Sequence, residues 1–459
     1  MASRHLKMDK NFFQKKVAVL GFGLEGQDLV KFLLRQGAKI TVFDQKEAKY
    51  LGKNFAKFEN QGIKFILGQN CFKEGLSHYD FVFRSPGFSP LRPEIIEAKK
   101  RGVVISSATK IFFDLCPGKI IGVTGTKGKG TTSTLIYQIL KNDGQDVFLG
   151  GNIGHSPLSF LPKIKPSSWV VLELSSFQLQ DLEKSPHLAV VLFIAPEHLD
   201  YHHDAEEYFQ AKRNIVRYQK ENDLAVLNAD NQISSSFAHL TPAQVYYFSR
   251  QKKVKGAYVK NKKIYLLDKE IGFTSKLQLL GKHNWDNICA AVTASWLVGA
   301  DLKSIKKVIF SFQGLEHRLE FVKEVKGRVF YNDSFSTTPE TTIAALHSFH
   351  QPLTLIAGGS EKGSDYQKLG EEIKRSRVKT LILIGEMAEK IRKAVLAAGF
   401  RGEIIFRPSK KMSTIVNLAF QKTKRGGVIL LSPACASFDM FKNYKDRGLQ
   451  FKRNVKRLS

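Results

Sequence analysis

The stretch at 120–134, IIGVTGTKGKGTTST, most constrains how this chain can fold. A β-rich apolar run delivers the backbone into a turn rich in glycine and lysine, and a helix-competent segment follows at once. Glycines let backbone N–H groups face an anion, the helix dipole adds partial positive charge, and a lysine reaches the terminal phosphates. This order of strand, turn and helix predicts an ATP-binding phosphate loop.

The loop has the shortened form G-x-x-G-K, and Gly130 stands where a Mg²⁺-binding hydroxyl usually follows the lysine. Thr131, next in line, becomes the candidate hydroxyl. A basic turn without a ligand is the alternative, and the glycines and threonines around the lysine disfavour it. The predicted phosphate contacts are Gly125, Thr126, Lys127, Gly128, Lys129, Gly130 and Thr131.

Length and composition limit the classes of protein to which this chain can belong. The 459 residues suggest about three domains of roughly 150 residues each, and 43% hydrophobic residues are ordinary for a globular chain. Four scattered cysteines give no zinc or disulfide spacing, no apolar run of about 18 residues occurs, and the N-terminus lacks a secretory signal. We therefore expect a cytoplasmic protein with no membrane segment.

The formal net charge of +29 is the unusual quantity. A nucleic-acid-binding ATPase would show basic residues interleaved with stacking aromatics or a known module, and we find no such module. Solvated basic faces, with anionic substrates accounting for a few charges, are the favoured interpretation. No specific nucleic acid is expected as a partner.

The first βαβ unit carries a dinucleotide fingerprint. A predicted strand, Lys16–Leu20, precedes GFGLEG at 21–26, and Asp44 ends the next strand 18 residues beyond the last glycine. A nicotinamide-dependent dehydrogenase is therefore a live hypothesis, although the same turn can hold any diphosphate. The turn Ser85-Pro86-Gly87 follows another strand, at the sheet edge where ligands tend to bind.

Polar residues also follow two buried strands of the central segment. Glu173 ends the apolar run at 169–172, and His198 comes shortly after the run at 189–194. Alone, either residue would more often be a helix cap or a surface group. Together, in a chain with a phosphate loop, they suggest ligands of Mg²⁺.

Lys212 lies in a predicted helix whose N-cap is Asp204. Tyr208, Lys212 and Ile215 share one stripe by i, i+4, i+7 spacing, which places the lysine on the inward face. From periodicity alone, we expect its stem to lie along the core while its ammonium reaches solvent.

The rest of the chain alternates strands with helices again, after a small basic β excursion before residue 280. Strands are predicted at 328–331, 354–357, 380–384 and 428–431, which indicates a second nucleotide-type fold. The sequence thus predicts an α/β protein of three domains. These are a Rossmann-like domain at 1–107, a P-loop ATPase-type domain with a mainly parallel sheet at 108–315, and a Rossmann-like domain at 316–459.

Six motifs in order carry a resemblance that covers essentially the whole chain. They are GGNIG at 150–154, LELSSFQL at 172–179, GKHNWDN at 281–287, HRLE at 317–320, NDS at 332–334 and SPACASFDMFKNYKDRG at 432–448. Together they resemble the Mur ligases, the ATP-dependent amino-acid-adding enzymes of peptidoglycan synthesis. The resemblance is strongest to members that add D-glutamate to UDP-N-acetylmuramoyl-L-alanine, so it implies those two substrates and ATP.

The resemblance also implies a role for each matching position. The first domain would hold the UDP part of the substrate, and not NAD, through Leu24, Glu25, Asp44, Gln45, Ser85 and Gly87. The muramoyl-alanine part would meet Asn152, Ser175 and Gln178. Contacts to ATP would come from Asn284, Asn287, Arg318 and Asp333. The incoming glutamate would be recognised by Thr337, Lys362, Ser437 and Tyr444.

For the metal, the resemblance implies two Mg²⁺ ions held by Thr131, Glu173, His198 and a carbamylated Lys212. A carbamate has physical sense there, because Mg²⁺ repels an ammonium, whereas a carbamate offers it oxygen ligands. The implied catalytic residues are Lys129, Glu173, His198 and Lys212.

The implied reaction has two steps. The substrate carboxylate attacks the γ-phosphate of ATP to give an acyl phosphate, and the glutamate amine then displaces phosphate. Closure of the third domain would bring Arg318, Asp333 and Lys362 to the site and exclude water. A monomer is expected.

Two departures from the family pattern leave alternatives open. The GKGTT loop, with Gly130 after the lysine, resembles that of folylpolyglutamate synthases, a sister family, and keeps that reaction as an alternative. Phe335 follows Asp333-Ser334 where the best-known pattern for D-glutamate addition has a lysine. One contact to phosphate or amino acid is therefore missing or replaced.

Overall fold

The computed structural model describes residues 12–51, 55–199, 201–279, 281–361 and 364–459, so the predicted site residue Lys362 lies outside the described residues. The chain forms two compact units. The first holds the described residues up to Lys276 together with His283–Phe310, and the second holds those of Leu277–Lys282 and Ser311–Ser459. The borders of the three expected domains stay a prediction.

The first sheet of unit one has five parallel strands. They are β1 (Lys16–Leu20), β2 (Lys39–Asp44), β3 (Lys64–Leu67), β4 (Phe81–Arg84) and β5 (Val104–Ser106), with helices α1 (Leu24–Arg35), α2 (Phe55–Glu59), α3 (Pro93–Lys100) and α4 (Ala108–Leu115). The order β3-β2-β1-β4-β5 places the ligand crevice where the strand order reverses, at the carboxyl ends of β1 and β4.

Helix α1 begins at Leu24, so Leu24 and Glu25 lie in its first turn. The helix can begin there because Gly26 has no side chain. A Cβ atom on Gly26 would lie 2.1 Å from the carbonyl oxygen of Gly21. The last glycine of the fingerprint thus permits close packing of helix against loop, as the pattern predicts.

The second sheet of unit one is also parallel. Its strands are β6 (Lys119–Thr124), β7 (Val147–Gly151), β8 (Trp169–Glu173), β9 (Leu188–Val191), β10 (Leu224–Asn228) and β11 (Gln244–Phe248), with helices α5 (Lys129–Asn142), α6 (Pro157–Phe160), α7 (Ser176–Leu179), α8 (Ala205–Arg217) and α9 (Gln232–Ser236). In the order β11-β10-β9-β6-β8-β7, the strand that leads to the phosphate loop lies between β8 and β9. The polar residues that follow those two strands therefore lie at the same edge as the loop.

The predicted β excursion is a small antiparallel sheet, and two helices complete the unit. The strands are β12 (Ala257–Lys260), β13 (Lys263–Leu266) and β14 (Lys269–Phe273), and the helices are α10 (Asn284–Leu297) and α11 (Leu302–Ser311). Buried alanines at 290, 291 and 294 allow α10 to pack closely on α5. One hydrophobic core runs from the first sheet to the second, where Phe112 and Phe160 lie 6.0 Å apart between ring centroids.

The second unit contains one sheet of order β15-β16-β20-β17-β18-β19. Its strands are β15 (Glu320–Val325), β16 (Arg328–Asn332), β17 (Leu353–Gly358), β18 (Val378–Ile384), β19 (Glu403–Phe406) and β20 (Val428–Leu431), with helices α12 (Pro339–Leu346), α13 (Gln367–Arg375), α14 (Ala388–Ala397), α15 (Met412–Lys422) and α16 (Tyr444–Lys456). Only β15 pairs antiparallel among these described strands, at the edge. The predicted α/β class is confirmed.

Short 3₁₀ helices lie at Ala48–Tyr50, Leu161–Lys163, Phe237–Leu240 and Thr274–Lys276. Within the described ranges, no helix combines the length and the apolar character that a membrane span requires.

Candidate active site

The phosphate loop joins β6 to α5 at the carboxyl edge of the second sheet. Gly125 (φ +151°) and Gly128 (φ +88°) have backbone conformations that residues with a side chain rarely adopt. A Cβ atom on Gly128 would lie 2.1 Å from Oδ1 of Asn287. The loop therefore requires glycine at 128 and lies directly against α10.

Asn284 and Asn287, two predicted ATP contacts, lie together beside this loop. Nδ2 of Asn287 donates to Oδ1 of Asn284 at 2.7 Å, and the hydroxyl of Thr132 donates to Oδ1 of Asn287 at 3.3 Å. Both asparagines are buried. The structure thus brings these two residues to the predicted phosphate site.

The two lysines of the loop differ in their surroundings. Nζ of Lys129 donates to the carbonyl oxygens of Gly125 (2.9 Å) and Thr126 (3.1 Å), so its ammonium lies over the loop. Lys127 is exposed and forms an ion pair with Glu197. Glu197 was not predicted from the sequence, although it is next to His198.

Thr126 ties the loop to the segment that follows β9. Its hydroxyl lies 2.9 Å from the carbonyl oxygen of Ala195, from the amide nitrogen of Ala195 and from the hydroxyl of Tyr208. Burial raises the pKa of Tyr208 to about 12, so this phenol stays protonated and can donate to Thr126. Thr126 therefore has a structural role in addition to its predicted contact with phosphate.

Glu173 ends β8 beside the loop and is 4% exposed. Its Oε1 accepts a hydrogen bond from Nδ2 of Asn152 at 3.1 Å, whereas Oε2 is buried and has no hydrogen-bond partner among the described residues. Buried carboxylate oxygens normally have a partner, so this oxygen fits a cation ligand.

The surroundings of Glu173 suit Mg²⁺ better than a metal held by protein ligands alone. In the described part of the chain, no group of three or more His, Cys, Asp or Glu residues could hold a metal ion. Mg²⁺ usually binds one or two carboxylates together with substrate phosphates. The half-buried Thr131, in the first turn of α5, adds a hydroxyl at the same edge.

Lys212 lies under the loop and is 1% exposed. Its Nζ donates to the carbonyl oxygen of Gly125 at 3.0 Å and lies 4.7 Å from the ring centroid of Tyr208. Burial, then the charge of Lys129, hold the pKa of Lys212 well below its usual range, against the opposing effect of two nearby carboxylates. The prediction from periodicity, an ammonium in solvent, is wrong because α8 packs its whole inward stripe beneath the loop.

His198 has a left-handed backbone (φ +59°), which is uncommon for a residue with a side chain and is often found at functional sites. Its Nε2 lies 3.7 Å from Oε2 of Glu197, and its ring centroid lies 4.9 Å from that of Phe177. The side chain is 44% exposed. His198 is thus accessible at the same sheet edge as the loop.

Ser175 and Gln178 form the capping box of α7. The Ser175 hydroxyl accepts from the Gln178 N–H at 3.3 Å, and Oε1 of Gln178 accepts from the Ser175 N–H at 3.1 Å. Gln178 also lies beside Glu25 of α1. Burial raises the pKa of Glu25 to about 7, although Arg84 and Gln178 favour its ionised form. One predicted muramoyl-alanine residue, Gln178, therefore lies beside one predicted UDP residue, Glu25.

Arg84 connects β4 to α7 and the residues just after it, and it was not predicted. It ends β4, is 1% exposed, and donates to both carboxylate oxygens of Asp181 and to the carbonyl oxygen of Phe177. Burial opposes ionisation of Asp181, but the charge and hydrogen bonds of Arg84 hold its pKa below the usual range. The sequence signal was an arginine that ends an otherwise apolar strand.

The remaining UDP candidates surround the first glycine loop. Oδ2 of Asp44 accepts from the Phe22 N–H at 2.8 Å, and Oδ1 accepts from the Lys46 N–H at 2.9 Å. The Ser85 hydroxyl donates to the carbonyl oxygen of Gly21 at 3.2 Å. Three further candidates are exposed at these loops: Leu24, Gln45 and Gly87.

In the second unit, Asp333 follows β16 and is 4% exposed. Its Oδ2 accepts from the Ser432 hydroxyl at 2.7 Å, and its Oδ1 accepts from the Leu319 N–H at 3.1 Å. Burial raises the pKa of Asp333 to about 6. Asp333 thereby holds the turn that carries Arg318.

The predicted glutamate contacts of this unit differ in exposure. Ser437 is buried, whereas Thr337 and Tyr444 are half-buried. Arg447, which was not predicted, is fully buried and donates to the carbonyl oxygens of Ser334, Cys435 and Ala436 at 3.0–3.1 Å. It fixes the loop after β20 against the segment after β16.

Three family models match successive parts of the chain. They are "Mur ligase MurD-like, N-terminal domain" at 15–107, "Mur ligase middle domain" at 123–295 and "Mur ligase, glutamate ligase domain" at 317–435. A UDP-N-acetylmuramoylalanine–D-glutamate ligase from Acetivibrio thermocellus is 43% identical over 455 residues, which are 97% of each chain. The chain belongs to the Mur ligase family. A ligase of the same name from Clostridium tetani is 40% identical, over 98% of each chain.

Solved structures of Mur ligases share the fold. The UDP-N-acetylmuramate–alanine ligase MurC from Thermotoga maritima has a TM-score of 0.60 at 18% identity, over 97% of this chain and 99% of that one. MurF from Acinetobacter baumannii has a TM-score of 0.59 at 14% identity, over 97% and 94%. As a Mur ligase, the chain is an ATP-dependent, amide-forming enzyme. The MurD-like model covers the GFGLEG unit, so the dehydrogenase hypothesis is replaced.

Proposed function

We propose that this chain joins D-glutamate to UDP-N-acetylmuramoyl-L-alanine with cleavage of ATP to ADP and phosphate, in the cytoplasmic synthesis of peptidoglycan precursors. The observation that carries the proposal is the 43% identity, over 97% of the chain, with a ligase named for those substrates. Folylpolyglutamate synthesis, suggested by the GKGTT loop, is the alternative that the experiment below tests.

The phosphate loop holds ATP in this proposal. Backbone N–H groups between Gly125 and Lys129 face the phosphates, and the ammonium of Lys129 turns from the loop carbonyls towards them. Thr126, Lys127, Gly128, Gly130 and Thr131 complete the contact, and Asn284 and Asn287 bind the nucleotide beside the loop. Arg318 and Asp333 are the ATP contacts of the second unit. The protein contributes chiefly position and positive charge, which is what phosphoryl transfer needs.

Two Mg²⁺ ions are proposed, with Thr131, Glu173, His198 and a carbamylated Lys212 as the residues that would hold them. The buried Oε2 of Glu173, which has no hydrogen-bond partner among the described residues, supports this donor set. Bound Mg²⁺ would neutralise negative charge on the ATP phosphates.

The carbamate on Lys212 follows from the state of its amine. Burial and then the charge of Lys129 hold the pKa of Lys212 well below its usual range, which favours the neutral amine with its free electron pair. That nitrogen can attack CO₂: an N–C bond forms, one C=O bond becomes C–O⁻, and Nζ releases a proton. The product is an anion, which the charge of Lys129 and, when bound, Mg²⁺ would stabilise.

The substrate carboxylate attacks the γ-phosphorus, and the bond to the ADP oxygen breaks. The amine of D-glutamate then attacks the acyl carbon, phosphate leaves, and the amine loses a proton. Asn152, Ser175 and Gln178 orient the muramoyl-alanine part, and Leu24, Glu25, Asp44, Gln45, Ser85 and Gly87 bind the UDP part. D-Glutamate is assigned to Thr337, Lys362, Ser437 and Tyr444.

The test is phosphate release from ATP with Mg²⁺ and UDP-N-acetylmuramoyl-L-alanine. We expect release with D-glutamate and none above background with L-glutamate, D-alanine or L-lysine. Release with a different amino acid would support the ligase reaction but assign a different amino-acid substrate to the pocket. Release only when a folate and L-glutamate replace these substrates would contradict the proposal and favour folylpolyglutamate synthesis.

A further inference from the structure

Phe335 is a large aromatic residue that the fold does not bury. It follows Asp333-Ser334 and is 37% exposed. Its ring lies beneath Arg318, with the guanidinium carbon 3.8 Å from the ring centroid. Cations within about 6 Å of a ring centroid are attracted by the π face, and a planar guanidinium can also stack on it. Phe335, which stands where the family pattern has a lysine, thus contacts Arg318, a residue predicted to bind ATP.

The ring of Phe335 is itself held from the side. Tyr444 packs edge-to-face against it, with centroids 5.1 Å apart and ring planes at 90°. Tyr444 in turn lies 6.1 Å from the ring of His317 at 88°. Phe335 and Tyr444 together make an aromatic shelf, and Arg318 rests on the face of its first member.

The backbone around Arg318 is fixed by the same segment. His317 (φ +66°) and Leu319 (φ +43°), the two neighbours of Arg318, both have left-handed backbones. The Phe335 N–H donates to the carbonyl oxygen of His317 at 3.0 Å, and Asp333 accepts from the Leu319 N–H at 3.1 Å. A strained turn persists only where its surroundings enforce it. Residues 333 and 335 supply that enforcement from both sides of Arg318.

Stacking is well suited to an arginine that must bind an anion. The ring contacts the face of the guanidinium, whereas the N–H donors lie in its plane and point out at its edge. A flexible arginine loses rotamer freedom when it binds, and one already held flat loses less. The shelf therefore orients Arg318 without competing for its donors.

We propose that Phe335 is a positioning residue: with Tyr444 it holds the Arg318 guanidinium in the orientation that binds the phosphates of ATP. The proposal rests on the proposed function in one respect, the contact between Arg318 and ATP. It assigns a role to the side chain at 335 that needs no charge there. Phe335 acts through Arg318 and does not touch the reacting atoms.

The test measures ATP binding alone, by titration calorimetry, so it does not depend on which amino acid the enzyme adds. We expect Phe335→Leu to weaken ATP binding about 5- to 10-fold and Phe335→Tyr to change it less than about 2-fold. In an Arg318→Met background, Phe335→Leu should have almost no further effect, because the two residues act as one unit.

A matched control is available in the same unit. Phe406 is 41% exposed and lies under Arg407, with the guanidinium carbon 5.1 Å from the ring centroid, outside the predicted site. Phe406→Leu should leave ATP binding unchanged, and thermal unfolding of all variants checks that they fold.

Three results would overturn the proposal. Normal ATP binding by Arg318→Met would refute the contact itself. Normal ATP binding by Phe335→Leu, together with weakened binding by Arg318→Met, would refute the positioning role of Phe335 but not the contact between Arg318 and ATP. An equal effect of Phe335→Leu with and without Arg318 would show a general structural role. Absence of D-glutamate-dependent phosphate release would instead contradict the proposed function and leave this measurement intact.

Discussion

Nζ of Lys212 donates a hydrogen bond to the carbonyl oxygen of Gly125 at 3.0 Å. This contact joins the inward face of α8 to the first residue of the phosphate loop. Because the lysine is buried and Lys129 lies nearby, its pKa is well below the usual range, and a carbonyl acceptor is compatible with a neutral amine. Lys212, whose ammonium periodicity alone predicts to be in solvent, thus lies at the centre of the candidate site.

Replacement of Lys212 by alanine should lower kcat for phosphate release by about 100-fold or more, because it removes a proposed metal ligand beside the phosphates. Depletion of CO₂ should slow the unaltered enzyme, and bicarbonate should restore its rate. Lys220→Ala, at an exposed lysine just after α8, should match the unaltered enzyme. A Lys212→Ala enzyme with full activity and no response to bicarbonate would refute the carbamate.

Local patterns predicted the parts of the fold that neighbouring residues determine. The apolar run before the phosphate loop is β6, and the run before Glu173 is β8, because continuous β-branched and aliphatic residues suit a parallel sheet covered on both faces. Since parallel strands end at one edge, the convergence of Glu173, His198 and the loop also followed from the sequence. The motif resemblance added Asn284 and Asn287, which lie beside the loop, Asn287 directly against Gly128.

Contacts between distant residues could not be predicted in this way. Arg84 binds Asp181, 97 residues further along the chain, and Arg447 binds Ser334, 113 residues away. Their signal was only an arginine in apolar surroundings. The prediction that the Lys212 ammonium reaches solvent is wrong for a related reason. Helical periodicity shows which face of the helix carries a residue, but not how deeply that face is buried in the core.

A Gly128→Ala substitution should weaken ATP binding by more than about 10-fold. Its Cβ atom would meet Oδ1 of Asn287 at 2.1 Å, so either the loop or the asparagine must move.

Gly144 is a matched control, because it has a similar backbone (φ +81°) with no atom within 4 Å of an added Cβ. Gly144→Ala should lower stability by about 1 kcal/mol and leave ATP binding unchanged. Calorimetric titration and thermal unfolding measure both quantities. Normal ATP binding by Gly128→Ala would show that the loop tolerates this movement.

Arg84→Met should lower the free energy of unfolding by about 3–5 kcal/mol, because it leaves the carboxylate of Asp181 without its buried partner. Urea denaturation measures the change. Arg101→Met removes an exposed pair with Glu97 and should alter stability by no more than about 0.5 kcal/mol. Adding Asp181→Leu to Arg84→Met should recover part of the loss. Equal stability of the Arg84 and Arg101 variants would mean that water reaches Asp181.

Glu25→Gln should stabilise the protein progressively as pH rises from about 4.5 to 7. Burial raises the pKa of Glu25 from an ordinary value of 4.5 to about 7, so in that window the folded chain binds a proton that the unfolded chain has released. Stability contributed by the protonated carboxyl therefore falls as pH rises through the window and stays low above it.

Glutamine keeps a donor and an acceptor for Gln178 but has no charge to desolvate. Its advantage at pH 8 should be about 1–2 kcal/mol, reduced from the full shift by partial solvent access. Glu59→Gln, at an exposed site on α2, is the matched control. If urea denaturation gave Glu25→Gln the same advantage at pH 5 and pH 8, Glu25 would have to be ionised throughout, and its contact with Gln178 would be that of a carboxylate.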